Sequence, residues 1–131
     1  MSNPNCIIAS LNCILYSSNN GVTWNQATTG NISFIPFFTV YMVSTNAIAG
    51  SAGNKGLWYS SDSGKTWTQT AINNISISSV YMVGTNAIAG SSNNTGIYYS
   101  SNSGLSWTQT QSAINNISIN NLIMVGTNAI T

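Results

Sequence analysis

GLWYSSDSGKTWTQT, residues 56–70, decides the reading of this chain, because close copies of it stand on either side. CILYSSNNGVTWNQ begins at Cys13 and GIYYSSNSGLSWTQT at Gly96, and the three align without a gap through Trp24, Trp67 and Trp107. A second block repeats with the first. TVYMVSTNAIAG at 39–50 returns as SVYMVGTNAIAG at 79–90, identical at ten of twelve positions, and again as NLIMVGTNAI at 121–130. The tryptophans lie 43 and 40 residues apart. A period of that size marks a repeat architecture, in which each unit must stack on its neighbours to bury its apolar face. The unequal spacing is a loop effect: the first unit carries three extra residues around 34–38, and the third carries the pair Gln111 and Ser112.

Within a unit the sequence reads as short strands, since the β-branched and aromatic runs are bounded by Gly, Asn and Ser clusters. Four are expected, at 79–83 (A), 86–90 (B), 96–100 (C) and 105–110 (D), with Gly84, Asn93, Asn94 and Gly104 in the turns. No helix is expected. Strand A runs Val80, Tyr81, Met82, Val83, apolar on both faces, the pattern of a sheet covered by other sheets on both sides. Stacked four-stranded units of about 40 residues are β-propeller blades. The expected fold is therefore all-β, a propeller of four-stranded antiparallel blades with about three blades per chain. It forms a single repeat domain over 1–131, with units at about 5–38, 39–78 and 79–120 and a closing strand at 121–131.

The turn between strands C and D carries SSDSGKTW, 60–67, which matches the Asp-box pattern S-x-D-x-G-x-T-W at Ser60, Asp62, Gly64, Thr66 and Trp67. SSNNGVTW (Ser17, Asn19, Gly21, Thr23, Trp24) and SSNSGLSW (Ser100, Asn102, Gly104, Ser106, Trp107) keep Ser, Gly and Trp and put Asn in place of Asp. The chain thus resembles the Asp-box (BNR, sialidase-like) β-propellers over three units. In that family the boxes lie on the rim away from the active site, so the resemblance implies that these fifteen residues determine the fold. Physics agrees: the Asp or Asn side chain accepts hydrogen bonds from its own turn, the Gly permits an unusual backbone angle, and the Trp anchors the hairpin with apolar area.

The resemblance would also imply sialidase chemistry, with an arginine triad, a Tyr nucleophile paired with Glu and an Asp acid. Composition excludes it. The chain has three charged side chains, Lys55, Lys65 and Asp62, and no Arg, Glu or His. Glycoside hydrolysis takes two carboxyl groups across the scissile bond, and Asp62 is the single one. Without His, neither a Ser-His nor a Cys-His nucleophile can be assembled, and metal ligands are equally short. The chain is expected not to be an enzyme, with no catalytic, cofactor-binding or metal-ligating residues and no cofactor. Two lysines are too few for a phosphate backbone or an anionic membrane surface. No apolar run suits a transmembrane span or a signal peptide, which leaves an intracellular location by default.

Polarity comes instead from 20 Asn, 21 Ser and 14 Thr, side chains suited to turns and strand surfaces. The sequons at Asn31, Asn74, Asn93 and Asn116 are read as a product of that composition. Cys6 and Cys13 fall on one hairpin; a three-residue turn that sets Ala9 opposite Cys13 puts the sulfurs on opposite faces, and reduced thiols are expected. Trp58, Tyr59, Tyr98 and Tyr99 could stack on sugar rings. However, Tyr16, Tyr59 and Tyr99 share one repeat position on a strand covered on both faces, so they are assigned to the core, and position 58 is the freer one.

The leading function is a non-catalytic propeller module, structural or protein-binding. The alternative is a lectin-like propeller with a glycan ligand, and an open solenoid of the same units is a third reading. Counting strands gives B, C, D, then A to D twice, then A with a partial B from Asn128. Propellers close with about four to eight blades, so three need a partner. That partner is expected to be a second copy, strand A (121–125) of one chain completing the first sheet of the next. A six-bladed homodimer is preferred and a nine-bladed homotrimer is next; the partial strand B would have to be displaced.

Overall fold

The computed structural model describes residues 3–28, 35–110, 113–126 and 128–130, the backbone alone at 113 and 128–130. The loop insertions at Phe34, Gln111 and Ser112, the sequon at Asn31 and the end of the closing segment at Thr131 lie outside the described residues or at their edge.

Three antiparallel sheets and a hairpin follow one another along the chain. The first holds β1 (Cys6–Ala9), β2 (Ile14–Ser17) and β3 (Asn25–Gln26). The second holds β4 (Phe37–Val43), β5 (Asn46–Ser51), β6 (Leu57–Ser60) and β7 (Thr68–Gln69). The third repeats it as β8 (Ile77–Val83), β9 (Asn86–Ser91), β10 (Ile97–Ser100) and β11 (Thr108–Gln109). β12 (Ile123–Val125) and β13 (Asn128–Ile130) form the hairpin. In each sheet the strands pair in chain order, because short connections return the chain antiparallel beside itself. Sequential pairing also stacks the sheets in order: β4 lies on β1, β8 on β4 and β5, and β12 on β8.

The core lies between sheets. One cluster joins Ile14 and Ala27 of the first sheet to Ala47, Ala49, Trp58 and Trp67 of the second. Another joins Ile48 and Leu57 of the second to Val80, Met82, Ala89 and Tyr98 of the third. A last one sets Ile88 and Ile97 against Leu122 and Met124. Small residues on β5 and β9 (Ala47, Ala49, Ala87, Ala89) let the sheets approach closely, with aromatic rings filling the gaps. Among the described residues, no helix is long and apolar enough to cross a membrane.

Several local expectations differ from the structure. The D strands are two residues long, not six, because Leu105, Ser106 and Trp107 belong to the preceding turn. Strand A begins earlier, at Ile77, with an irregular step before Ser79. A 3-10 turn, Ala113–Asn116, stands where no helical segment was expected. In the first hairpin Ala9 pairs with Ile14, not Cys13, because the Ser10 N–H bonds to the Cys13 carbonyl and closes a tighter turn at Leu11 and Asn12. That register puts Cys6 and Cys13 on one face, not opposite faces. They are about four residues apart along the strand, roughly 13 Å.

The assignment of strand C aromatics is also reversed. Trp58 and Tyr98 are buried, whereas Tyr99 is 47% exposed and Tyr16 and Tyr59 are half-buried. Position 58 faces the preceding sheet, where Trp58 joins the cluster of Ile14 and Ala27, and it meets Phe37 of its own sheet edge-on with ring centroids 6.0 Å apart. The tyrosine position faces the following sheet, and its burial depends on what is stacked there.

Candidate functional site

Each C-to-D turn is built around one side chain that gathers backbone donors. In the second sheet, Asp62 Oδ1 accepts from the Thr66 N–H at 2.9 Å and from Ser60 Oγ at 2.8 Å, while Oδ2 accepts from the Thr66 hydroxyl. Ser60 Oγ in turn accepts from the Asp62 and Gly64 N–H groups at 3.3 and 3.0 Å. The two asparagine turns reproduce this net. Asn19 Oδ1 accepts from Thr23 N–H and Ser17 Oγ, and Asn102 Oδ1 from Ser106 N–H and Ser100 Oγ, all within 2.9 to 3.0 Å. Only one bond changes direction: Asn19 Nδ2 and Asn102 Nδ2 donate to the hydroxyls of Thr23 and Ser106, both at 2.8 Å. The indole N–H of each tryptophan donates to the glycine carbonyl three residues back, Trp24 to Gly21, Trp67 to Gly64 and Trp107 to Gly104.

Desolvation pushes the Asp62 carboxyl up, but the hydrogen bonds from Thr66, Ser60 and Lys65 outweigh it and hold the group below its ordinary value. A carboxyl depressed in the folded state stabilises the fold above its unfolded value, and that contribution disappears as pH falls through the folded one. Asp62 is the chain's single carboxylate side chain, so the unfolding midpoint should stay level in mildly acidic buffer and dip below roughly pH 4. D62N should flatten that dip in acid thermal melts. A dip of equal size in D62N would assign it elsewhere.

The turns also bind sheet to sheet. Gly64 sits under Ile7 of the preceding sheet, where an added Cβ would come within 2.6 Å of Ile7 Cγ2, and Gly104 sits under Ile48 with the corresponding distance 2.4 Å. Beside them, Asn5 Nδ2 donates to Ser63 Oγ at 3.0 Å and Asn46 Nδ2 to Ser103 Oγ at 3.4 Å. Trp67 packs in the cluster with Ile14 and Ala27, flanked by Ile7 and Tyr16. Trp107 packs likewise against the cluster of Ile48 and Leu57. Each sheet therefore offers an apolar seat to the tryptophan of the next. Ile7, Ile48 and Ile88, at one repeat position opposite Tyr16, Tyr59 and Tyr99, went unremarked in the sequence; the recurrence of isoleucine there in all three units was the available signal.

On the outer face of the third sheet the same positions line an open cleft of about 420 Å³. Ile88, Ile97, Tyr99 and Thr110 line it together with Asn86 and Met124. No group of three or more His, Cys, Asp or Glu stands together among the described residues. The cleft's chemistry is that of an apolar binding surface with hydroxyl and amide edges.

No protein-family model and no curated protein matches the chain. Solved structures do resemble it. The structure of YCF48 bound to D1 peptide aligns with a TM-score of 0.68 and 21% identity, over 92% of this chain and 42% of that one. An ancestral GH74 enzyme aligns with a TM-score of 0.68 and 20% identity, over 93% of this chain and 19% of that one. The GH74 xyloglucanase from Xanthomonas campestris gives 0.58 and 18%, over 81% and 21%. The chain spans less than half the length of each. These neighbours are β-propellers, and the fold of this chain is that of stacked propeller blades.

Proposed function

We propose that the chain is a non-catalytic Asp-box propeller module that serves as a scaffold or binds protein, and that it completes its ring by association with itself. The division into units at about 5–38, 39–78 and 79–120 with a closing strand at 121–131 belongs to this reading. One observation carries it: both outer faces of the stack are apolar. On the first sheet Ile8 is 42% and Trp24 36% exposed; at the other end Tyr99, Ile123 and Val125 are exposed. Exposed apolar side chains at both ends of a stack are a liability that a partner covers.

Other observations support the same reading. Among the described residues β1 is an edge strand of its sheet, and β12 is an A-type strand that follows the third sheet. The structure of YCF48 bound to D1 peptide shows that one propeller of similar blades takes a peptide, which favours a protein partner over a small molecule. Catalysis is disfavoured because Asp62 is committed to its turn and no second carboxylate side chain exists in the sequence. The lectin reading loses its best stacking platforms, since Trp58 and Tyr98 are buried.

Light scattering at low micromolar concentration should give twice the 13.8 kDa chain mass, the six-bladed dimer. A threefold mass would keep the ring and raise the blade count to nine, whereas a persistent 13.8 kDa monomer would overturn self-association. No turnover of xyloglucan or activated sialosides is expected; activity that follows the protein to homogeneity would refute the non-catalytic assignment.

A further inference from the structure

We propose that the cleft on the third sheet is a seat for Trp24 of a second copy of the chain. This deepens the self-association reading and rests on it. The chain itself displays the occupied version twice. In the first seat Ile7, Ile14, Tyr16 and Ala27 receive Trp67, which is 1% exposed. In the second, the cluster of Ile48 and Leu57 receives Trp107. Ile88, Ile97, Tyr99 and Thr110 occupy the same four repeat positions in the third sheet, and there they line the open cleft.

The knob is already formed. Trp24 is held by its indole bond to the Gly21 carbonyl at 3.0 Å, as Trp67 is held by Gly64 at 2.9 Å, so docking requires no rearrangement of the turn. Gly21 meets only the ring of its own Trp24, whereas Gly64 and Gly104 each lie under an isoleucine. Ile88, the third isoleucine of the series, supplies that contact in the assembled pair. Asn86 Nδ2 then reaches Asn20, which stands at the position of Ser63 and Ser103 and offers an amide oxygen as acceptor. The larger Ile8, in place of Ala49 and Ala89, adds apolar area to the same face.

Geometry also fixes what must give way. In the second and third sheets the A-type strand pairs with the B-type strand, Tyr41 with Ile48 and Tyr81 with Ile88. β13 holds that edge of β12, pairing Ile123 with Ile130. The incoming β1 takes over this edge, and β13 is released.

Complementation tests the seat. Trp24→Ala removes the knob and Tyr99→Glu charges the seat; both side chains are exposed in the single chain, so each variant should fold, as circular dichroism can verify. By sedimentation, each alone should associate at least tenfold more weakly than the unaltered chain. An equimolar mixture should associate more tightly than either variant alone, because one of its two junctions pairs an intact Trp24 with an intact seat. Truncation after Thr127 should tighten self-association. If the unaltered chain associates while both variants match it, the seat is wrong and self-association stands. Failure of the mixture to recover overturns the seat too, and a monomeric unaltered chain overturns both.

Discussion

Replacing Trp67 with alanine should cost the fold about 3 to 5 kcal/mol, the usual loss for truncating a buried aromatic side chain, while D62N in the same turn should change stability by about half a kcal/mol or less. The difference follows from what each side chain touches. Trp67 is 1% exposed and sits between the first two sheets among Ile14, Ala27 and Trp58, so its removal opens a cavity bordered by two strands that cannot collapse independently. It also silences a buried donor to the Gly64 carbonyl. Asp62, by contrast, becomes what Asn19 and Asn102 already are, and those turns keep both Oδ1 contacts and reverse a single hydroxyl bond. Urea titration of the two variants measures the gap. Equal losses would mean that the carboxylate charge holds the turn as strongly as the indole does.

Much of this architecture was legible because the sequence repeats. The near-identical blocks at 39–50 and 79–90 form strand pairs in the same register, Val40 through Val43 opposite Ala49 through Asn46, and Val80 through Val83 opposite Ala89 through Asn86. What repetition could not supply is which face of a strand meets which neighbour. Tyr59 and Trp58 are adjacent aromatics, and nothing within one unit says that position 58 looks back to the preceding sheet and position 59 forward. That direction arises from stacking, which is why Tyr99 was assigned to the core and is in fact half in solvent. The first hairpin was misread for a different reason: its turn has no glycine, so a one-residue error in loop length moved Cys6 and Cys13 to opposite faces.

Substituting alanine for glycine in the three equivalent turns should separate backbone strain from sheet-to-sheet packing. Gly21, Gly64 and Gly104 have nearly the same φ, +81°, +83° and +85°, so the strain of adding a side chain there, about 1 to 2 kcal/mol, is common to all three. Their surroundings differ. At Gly104 the new Cβ would stand 2.4 Å from Ile48 Cγ2, and at Gly64 2.6 Å from Ile7 Cγ2, distances that force the stacked sheets apart. Both isoleucines are β-branched and stiff, so the strand carrying them must move. Overpacking of this kind costs typically another 1 to 3 kcal/mol. At Gly21 the nearest atom is the edge of Trp24 at 3.4 Å, within the same turn, and the extra cost should vanish. In the single chain G104A and G64A should therefore be about 1 to 3 kcal/mol less stable than G21A. Equal destabilisation across the three would show that the glycines serve only the turn. If instead G21A folds well yet associates poorly, the face it presents is the one that a second chain covers, with Ile88 in the place that Ile7 and Ile48 hold over the other two glycines.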